Sequence, residues 1–307
     1  MLKAFNSNQI LNSLLYVLLI PIFFVDDYIR DDEILQKLVT AFAVFLQSFY
    51  VNYLIQKHRL YKTPNQLAGL MIVLLLLTIP EAVIFSPFII ANFFTLVSLG
   101  MILDTDRLGA APQKFFNIGL VFGIGVFIYP PNIIMIFSLF AGLNLLRPFS
   151  LREILQILSA LLMEIYLVGV YHFFTDSMNE FYLLNSVKHF SLIYFSWHFD
   201  AFKSIFLGLL LFFVLISYWS YRRKKPMQIQ RKISVFYFWA LLSFLPAVID
   251  GPFDYQKWQL MVIPVGTLSG IRLSDIPPKI ASGVFWLIFV ISITFNYFEM
   301  FNFGILK

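Results

Sequence analysis

The sequence predicts an all-α, polytopic transmembrane helical bundle of about eleven spans with a cytoplasmic N-terminus, and three observations carry that prediction. The 307 residues are 60% hydrophobic and only 13% charged, against about a quarter charged in soluble domains. Apolar stretches of roughly membrane-spanning length recur along nearly the whole chain, separated by short polar joints. Lys and Arg alternate from joint to joint, dense in one and sparse in the next.

Crossing a hydrocarbon core of roughly 30 Å takes about 20 apolar residues, and each crossing is helical because lipid offers the backbone no hydrogen-bond partner. The first stretch, Ile10 to Val25, follows Lys3 as a signal peptide would. It runs into Phe23-Phe24-Val25-Asp26-Asp27 with no Ala-x-Ala-like cleavage triplet, so it reads as a retained span. The spans that follow are Ile34 to Gln56, Gln66 to Phe85, Pro87 to Leu103, Phe115 to Tyr129 and Ile133 to Leu146. Ile154 to Phe174, Phe202 to Tyr221, Ile233 to Ile249, Trp258 to Ile271 and Ile280 to Phe298 complete the series. Helix-breaking residues fall at the joints: Pro80 and Pro87, Pro130-Pro131, Pro148, Pro226, Gly251-Pro252 and Pro277-Pro278.

Cytoplasmic joints of bacterial inner-membrane proteins are enriched in Lys and Arg, which sets orientation. With the N-terminus inside, most of the 22 basic residues fall on inner joints: Lys57, Arg59 and Lys62; Arg107 and Lys114; Arg147 and Arg152; Arg222 to Lys225 with Arg231 and Lys232; Arg272 and Lys279. The opposite joints collect Asp26, Asp27, Asp31, Asp32, Glu33, Asp176, Glu180, Asp200, Asp250 and Asp254. The net charge of +5 is thus a topology signal, not the mark of a nucleic-acid partner. Residues 1–307 read as one integral membrane domain with short loops, the longest on the outer side at about 175–201. The expected location is the bacterial inner membrane. The expected partners are membrane lipids and other membrane-protein subunits.

With no Cys, thiolate metal sites, disulfides and thiol chemistry are excluded. Of the four His, His58 is on the inner side, while His172, His189 and His198 are on the outer side with Asp176 and Asp200 nearby. Their spacing matches no zinc motif, and Tyr182, Phe190, Tyr194, Phe195, Trp197 and Phe199 around them read as an interfacial aromatic belt. No metal or other cofactor is expected, with His172, His189 and His198 as the alternative ligand set.

Glu164 lies mid-span, where a carboxylate is costly unless protonated, paired or hydrated; it is a candidate for a substrate or ion pathway or for a hydrogen bond to a neighbouring helix. Glu81, after Pro80, is either a second pathway residue at a helix break or a solvated cap. Asp26 and Asp27 occupy the first outer loop, where polytopic glycosyltransferases with lipid-linked donors place a catalytic carboxylate as general base. Such enzymes also hold a lipid phosphate with Lys or Arg, and near the outer loops stand Arg30, Lys188, Lys203 and Lys257. Acidic residues before a helix also cap it and suit its dipole. The run Arg222 to Lys225 reads as a stop-transfer anchor or a headgroup contact, and Ser150 with Glu153 as a capping box.

The segments Phe116-Asn117-Ile118-Gly119, Tyr129-Pro130-Pro131 and Arg147-Pro148-Phe149-Ser150-Leu151-Arg152-Glu153 resemble a family of polytopic bacterial inner-membrane proteins of unknown function. The resemblance spans most of the chain and implies fold and localisation. Members are sometimes labelled β-carotene 15,15′-monooxygenase. Membrane carotene-cleaving enzymes gather several His on iron, whereas here His58 is on the opposite face from the other three. The leading expectation is a non-enzymatic carrier or complex subunit. The alternative is a glycosyl or lipid transferase using a lipid-linked donor at the outer face.

Overall fold

The structure is a computed structural model that describes residues 34–61, 65–105, 112–179, 201–249 and 255–305. Asp26, Asp27, His189, His198 and the span Ile10 to Val25 lie outside the described residues. Every element among the described residues is helical: α1 (Ile34–Lys57), α2 (Leu67–Leu77), α3 (Pro87–Leu103), α4 (Pro112–Ile128), α5 (Ile136–Leu146), α6 (Leu151–Phe174), α7 (Ala201–Lys224), α8 (Met227–Leu242), α9 (Phe244–Ile249), α10 (Gln259–Asp275) and α11 (Pro278–Ile305). Short 3-10 turns at Pro80–Val83, Pro130–Met135 and Tyr255–Trp258 punctuate them. Leu35–Lys57, Leu151–Phe174 and Pro278–Phe295 are long and apolar enough to cross a bilayer on their own, and five shorter helical stretches are also apolar. The chain is an α-helical, multi-pass membrane protein.

Proline starts helices here because its fixed φ suits the first turn and the N–H it lacks would go unpaired there. Pro87, Pro112 and Pro278 open α3, α4 and α11, and Pro80 and Pro130 open 3-10 turns. The apolar stretch Ile233 to Ile249 is broken at Ser243 into α8 and α9. Pro246 gives the reason: it has no N–H for the carbonyl four residues back and its ring would crowd that carbonyl. The capping box at Ser150 does not form. Ser150 makes no side-chain cap, and the Glu153 carboxylate instead pairs with Arg147 at 3.1 Å, a charge-assisted contact stronger than a bond to a neutral N–H.

The described residues form two compact units. Unit 1 takes them from Met1–Ile89, His198–Phe236 and Asp254–Lys307. Its centre is the antiparallel pair α2 and α10. All of α2 is buried, as is nearly all of α10, which is why α2 is apolar all round rather than along one stripe. Glycine permits the approach: a Cβ on Gly270 would stand 2.4 Å from Ala68 Cα, and one on Gly266 2.6 Å from Ile72 Cγ1. Around this pair, Asn52 of α1 accepts from the Gly69 N–H at 3.0 Å, Ser292 of α11 donates to the Leu74 carbonyl at 3.3 Å, and Trp258 donates to the Leu75 carbonyl at 3.1 Å.

Unit 2 draws on Ile90–Trp197 and Tyr237–Phe253 and is built on the parallel pair α4 and α6. Gly119-x-x-x-Gly123 brings small residues to one face of α4. A Cβ on Gly119 would meet the Ile157 carbonyl oxygen at 2.5 Å and Ala160 Cβ at 2.6 Å. The other flank of α6, with Leu155, Leu162, Tyr166 and Phe173, is exposed and suits lipid.

Candidate functional site

In unit 1 the 3-10 turn at Pro80–Val83 carries Glu81 and begins where Ile79 leaves α2 in an extended conformation. Gln259, the first residue of α10, fixes that turn in place. Its Nε2 donates to the Ala82 carbonyl at 2.6 Å and the Ile84 carbonyl at 2.7 Å, and its Oε1 accepts from Ser86. Gln47 of α1 adds a bond from Nε2 to the Ile89 carbonyl at 2.7 Å. The turn also packs against α1 and against the 3-10 turn Tyr255–Trp258. Three chain segments therefore meet at the turn carrying Glu81, and the Gln259 bonds satisfy backbone carbonyls that the irregular turn would otherwise leave open.

Two cations lie on the segments that meet there. Lys37, one turn into α1, and Lys257, in the turn before α10, are each 7% exposed. Because α1 and α2 are antiparallel, with Asn52 level with Gly69, the Lys37 end of α1 is the end that reaches the turn following α2. Glu81 is half-buried, with Oε2 out of solvent contact. An ammonium group withdrawn from water is costly and persists where it serves an anion or a paired network. Lys257 was among the outer-side cations expected from the sequence. Lys37 was hidden inside a stretch counted as a span, although its place three residues after Asp32-Glu33-Ile34 marks it as a residue of the outer end.

The other sequence candidates lie elsewhere. Glu164 sits midway along α6 in unit 2, with its carboxyl tip over Gly123: a Cβ there would come within 1.4 Å of Oε2. That oxygen is buried and has no hydrogen-bond partner among the described residues. His172 is buried at the C-terminal end of α6, with Nδ1 2.7 Å from Ser177 Oγ, which is in turn 2.7 Å from Thr175 Oγ1. It therefore belongs to a helix-terminating network. Among the described residues no three His, Asp or Glu gather as a metal site.

No family model and no curated protein sequence matches the chain. Among solved structures, the crystal structure of ArnT from Cupriavidus metallidurans bound to undecaprenyl phosphate matches with a TM-score of 0.49 and 16% identity. The match covers 87% of this chain and 50% of that one, so this chain spans about half of its length. The expectation of a non-enzymatic carrier or complex subunit is corrected here and not carried further: the structure matched is of a protein bound to undecaprenyl phosphate. The physical reason is in the chain itself. Glu164, the main support for a carrier, lies in the seam of one helix pair, while two buried cations lie on segments that pack against the turn carrying Glu81.

Proposed function

We propose that the chain is an inner-membrane transferase that takes a group from a lipid-phosphate-linked donor at the outer face. The observation that carries it is the burial of Lys37 and Lys257 on segments meeting at Glu81. Lys and Arg are scarce on the joints assigned to the outer side, so two lysines on segments that meet at one turn mark a place suited to an anion. A donor phosphate supplies one.

Contacts within unit 1 support the alternation of inner and outer joints. Lys225 donates to the Leu60 carbonyl at 2.9 Å and pairs with Asp275 at 2.9 Å, and Lys232 lies 3.1 Å from His58 Nδ1. All five residues belong to joints assigned to the cytoplasm. Gln259, Ala82, Ile84 and Ser86 all belong to the opposite side.

In the proposed step an acceptor hydroxyl oxygen attacks the glycosyl carbon of the donor. The bond from that carbon to the phosphate oxygen breaks, and the lipid phosphate leaves with the electron pair, its charge met by the two ammonium groups. The hydroxyl proton passes to a carboxylate, for which Glu81, Asp26 and Asp27 are the candidates.

Turnover of a polyprenyl-phosphate-linked sugar by the purified chain, with Lys37→Ala and Lys257→Ala variants, tests this. Each substitution is expected to lower kcat/KM by about a hundredfold. Unchanged turnover in both, with the protein folded, would refute the proposal. Glu81→Gln, Asp26→Asn and Asp27→Asn then identify the base.

A further inference from the structure

The backbone leaves helical geometry on both sides of Glu81. Ile79 is extended at φ −126° and ψ 102°, Pro80–Val83 makes a 3-10 turn, and Ile84 is extended again at φ −68° and ψ 136°. Within the turn the Ala82 N–H donates to the Ile79 carbonyl at 2.9 Å. Irregular backbone in a membrane protein persists where protein buries it or where it lines a site. Each carbonyl that such a break releases from the helix ladder needs a donor.

Gln259 supplies donors for two of them. It is 2% exposed; Nε2 donates to the Ala82 carbonyl at 2.6 Å and the Ile84 carbonyl at 2.7 Å, while Oε1 accepts from Ser86. An amide suits these partners because its nitrogen carries two hydrogens and its oxygen accepts. Neither carbonyl can donate, so the nitrogen is the end that faces them. The preceding residue, Trp258, is buried, and its Nε1 donates to the Leu75 carbonyl in the last turn of α2 at 3.1 Å. Trp258 thus anchors the segment carrying Lys257, one residue further back. From that anchored segment, one side chain reaches across to hold the turn carrying Glu81.

We propose that Gln259 is a positioning residue that sets Glu81 against Lys257, and that Glu81 is the base of the transfer. The inference rests on the transferase reading above. In that step the acceptor oxygen bonds to the glycosyl carbon, its proton passes to Glu81, and the lipid phosphate leaves with the electron pair of the broken bond. The carboxylate and the ammonium serve opposite ends of one reacting molecule, so their separation must hold. A displacement of about 1 Å in such an arrangement costs up to about a hundredfold in rate. Leucine at 259 would keep the volume but leave the Ala82 and Ile84 carbonyls without this donor and let the turn shift.

Turnover of a polyprenyl-phosphate-linked sugar by the folded, full chain tests this with Gln259→Leu, Glu81→Gln and the double variant. Gln259→Leu is expected to lower kcat about tenfold while the donor KM changes less than about twofold, because the lysines still hold the phosphate. Glu81→Gln should lower kcat about a hundredfold. The double variant should be no slower than Glu81→Gln, since Gln259 acts through that carboxylate. Gly270→Ala, which strains the α2–α10 pair away from the turn, should keep its kcat. Multiplied losses in the double variant, or an equal fall of kcat in Gly270→Ala, would show a general structural role and overturn the proposal. Wild-type kcat in Glu81→Gln, with Lys37→Ala and Lys257→Ala still impaired, overturns it while the transferase reading stands; no turnover by the unaltered chain removes both. If Gln259→Leu does not fold, Gln259→Asn, whose amide sits one methylene short of the turn, carries the same expectations.

Discussion

Lys225 and Asp275 are 5% and 13% exposed, and their contact at 2.9 Å ties the end of α7 to the end of α10. Removing one partner leaves the other charge buried and uncompensated, at a cost of about 3 kcal/mol. Lys225→Met should therefore lower stability in detergent, and adding Asp275→Leu should restore most of it, because an apolar pair leaves no stranded charge. A thermal melt of the single and double variants checks this; equal loss in both would contradict it. At this scale the sequence was only partly legible. Glu164 stood out because a carboxylate in a mid-span apolar run is rare, but Gly123 beneath it did not, since helix pairing is not written in either helix alone. Lys37 was missed for a related reason: a single cation at the edge of an apolar stretch looks the same whether it faces water or a packed interior.

Helix positions followed the apolar pattern closely. Pro87 to Leu103 coincides with α3, and Ile34 to Gln56 differs from α1 by one residue. Departures occur at two prolines inside apolar runs, Pro80 and Pro246, which divide a run without making it polar, whereas Pro264 lies within an unbroken α10. Which helix is lipid-facing was not legible either, because in a bilayer a buried helix and a lipid-exposed one are both apolar; α2 and α6 show the two cases. Helix contact does leave a testable mark at glycines. Gly270→Ala meets Ala68 backbone at 2.4 Å, which cannot move without moving α2, and should cost about 2 kcal/mol. Gly123→Ala meets mainly the Glu164 carboxyl, the end of a flexible side chain, and should cost under about 1 kcal/mol. Melting temperatures in the reverse order would contradict the packing described for α2 with α10.

At the scale of the whole molecule, composition and charge alternation predicted a multi-pass helical membrane protein. Function was not legible in the same way, because Glu81, Lys37 and Lys257 come from three separated segments and no local motif links them. The central claim is that the end of unit 1 bearing Lys37, Lys257 and Glu81 holds a lipid phosphate. The most direct measurement is a high-resolution density map of the purified chain with a polyprenyl phosphate bound. The account predicts phosphate density within hydrogen-bond reach of Lys37 and Lys257, beside the Pro80–Val83 turn. Phosphate density at any other place on the chain, with that end of unit 1 empty, would contradict it.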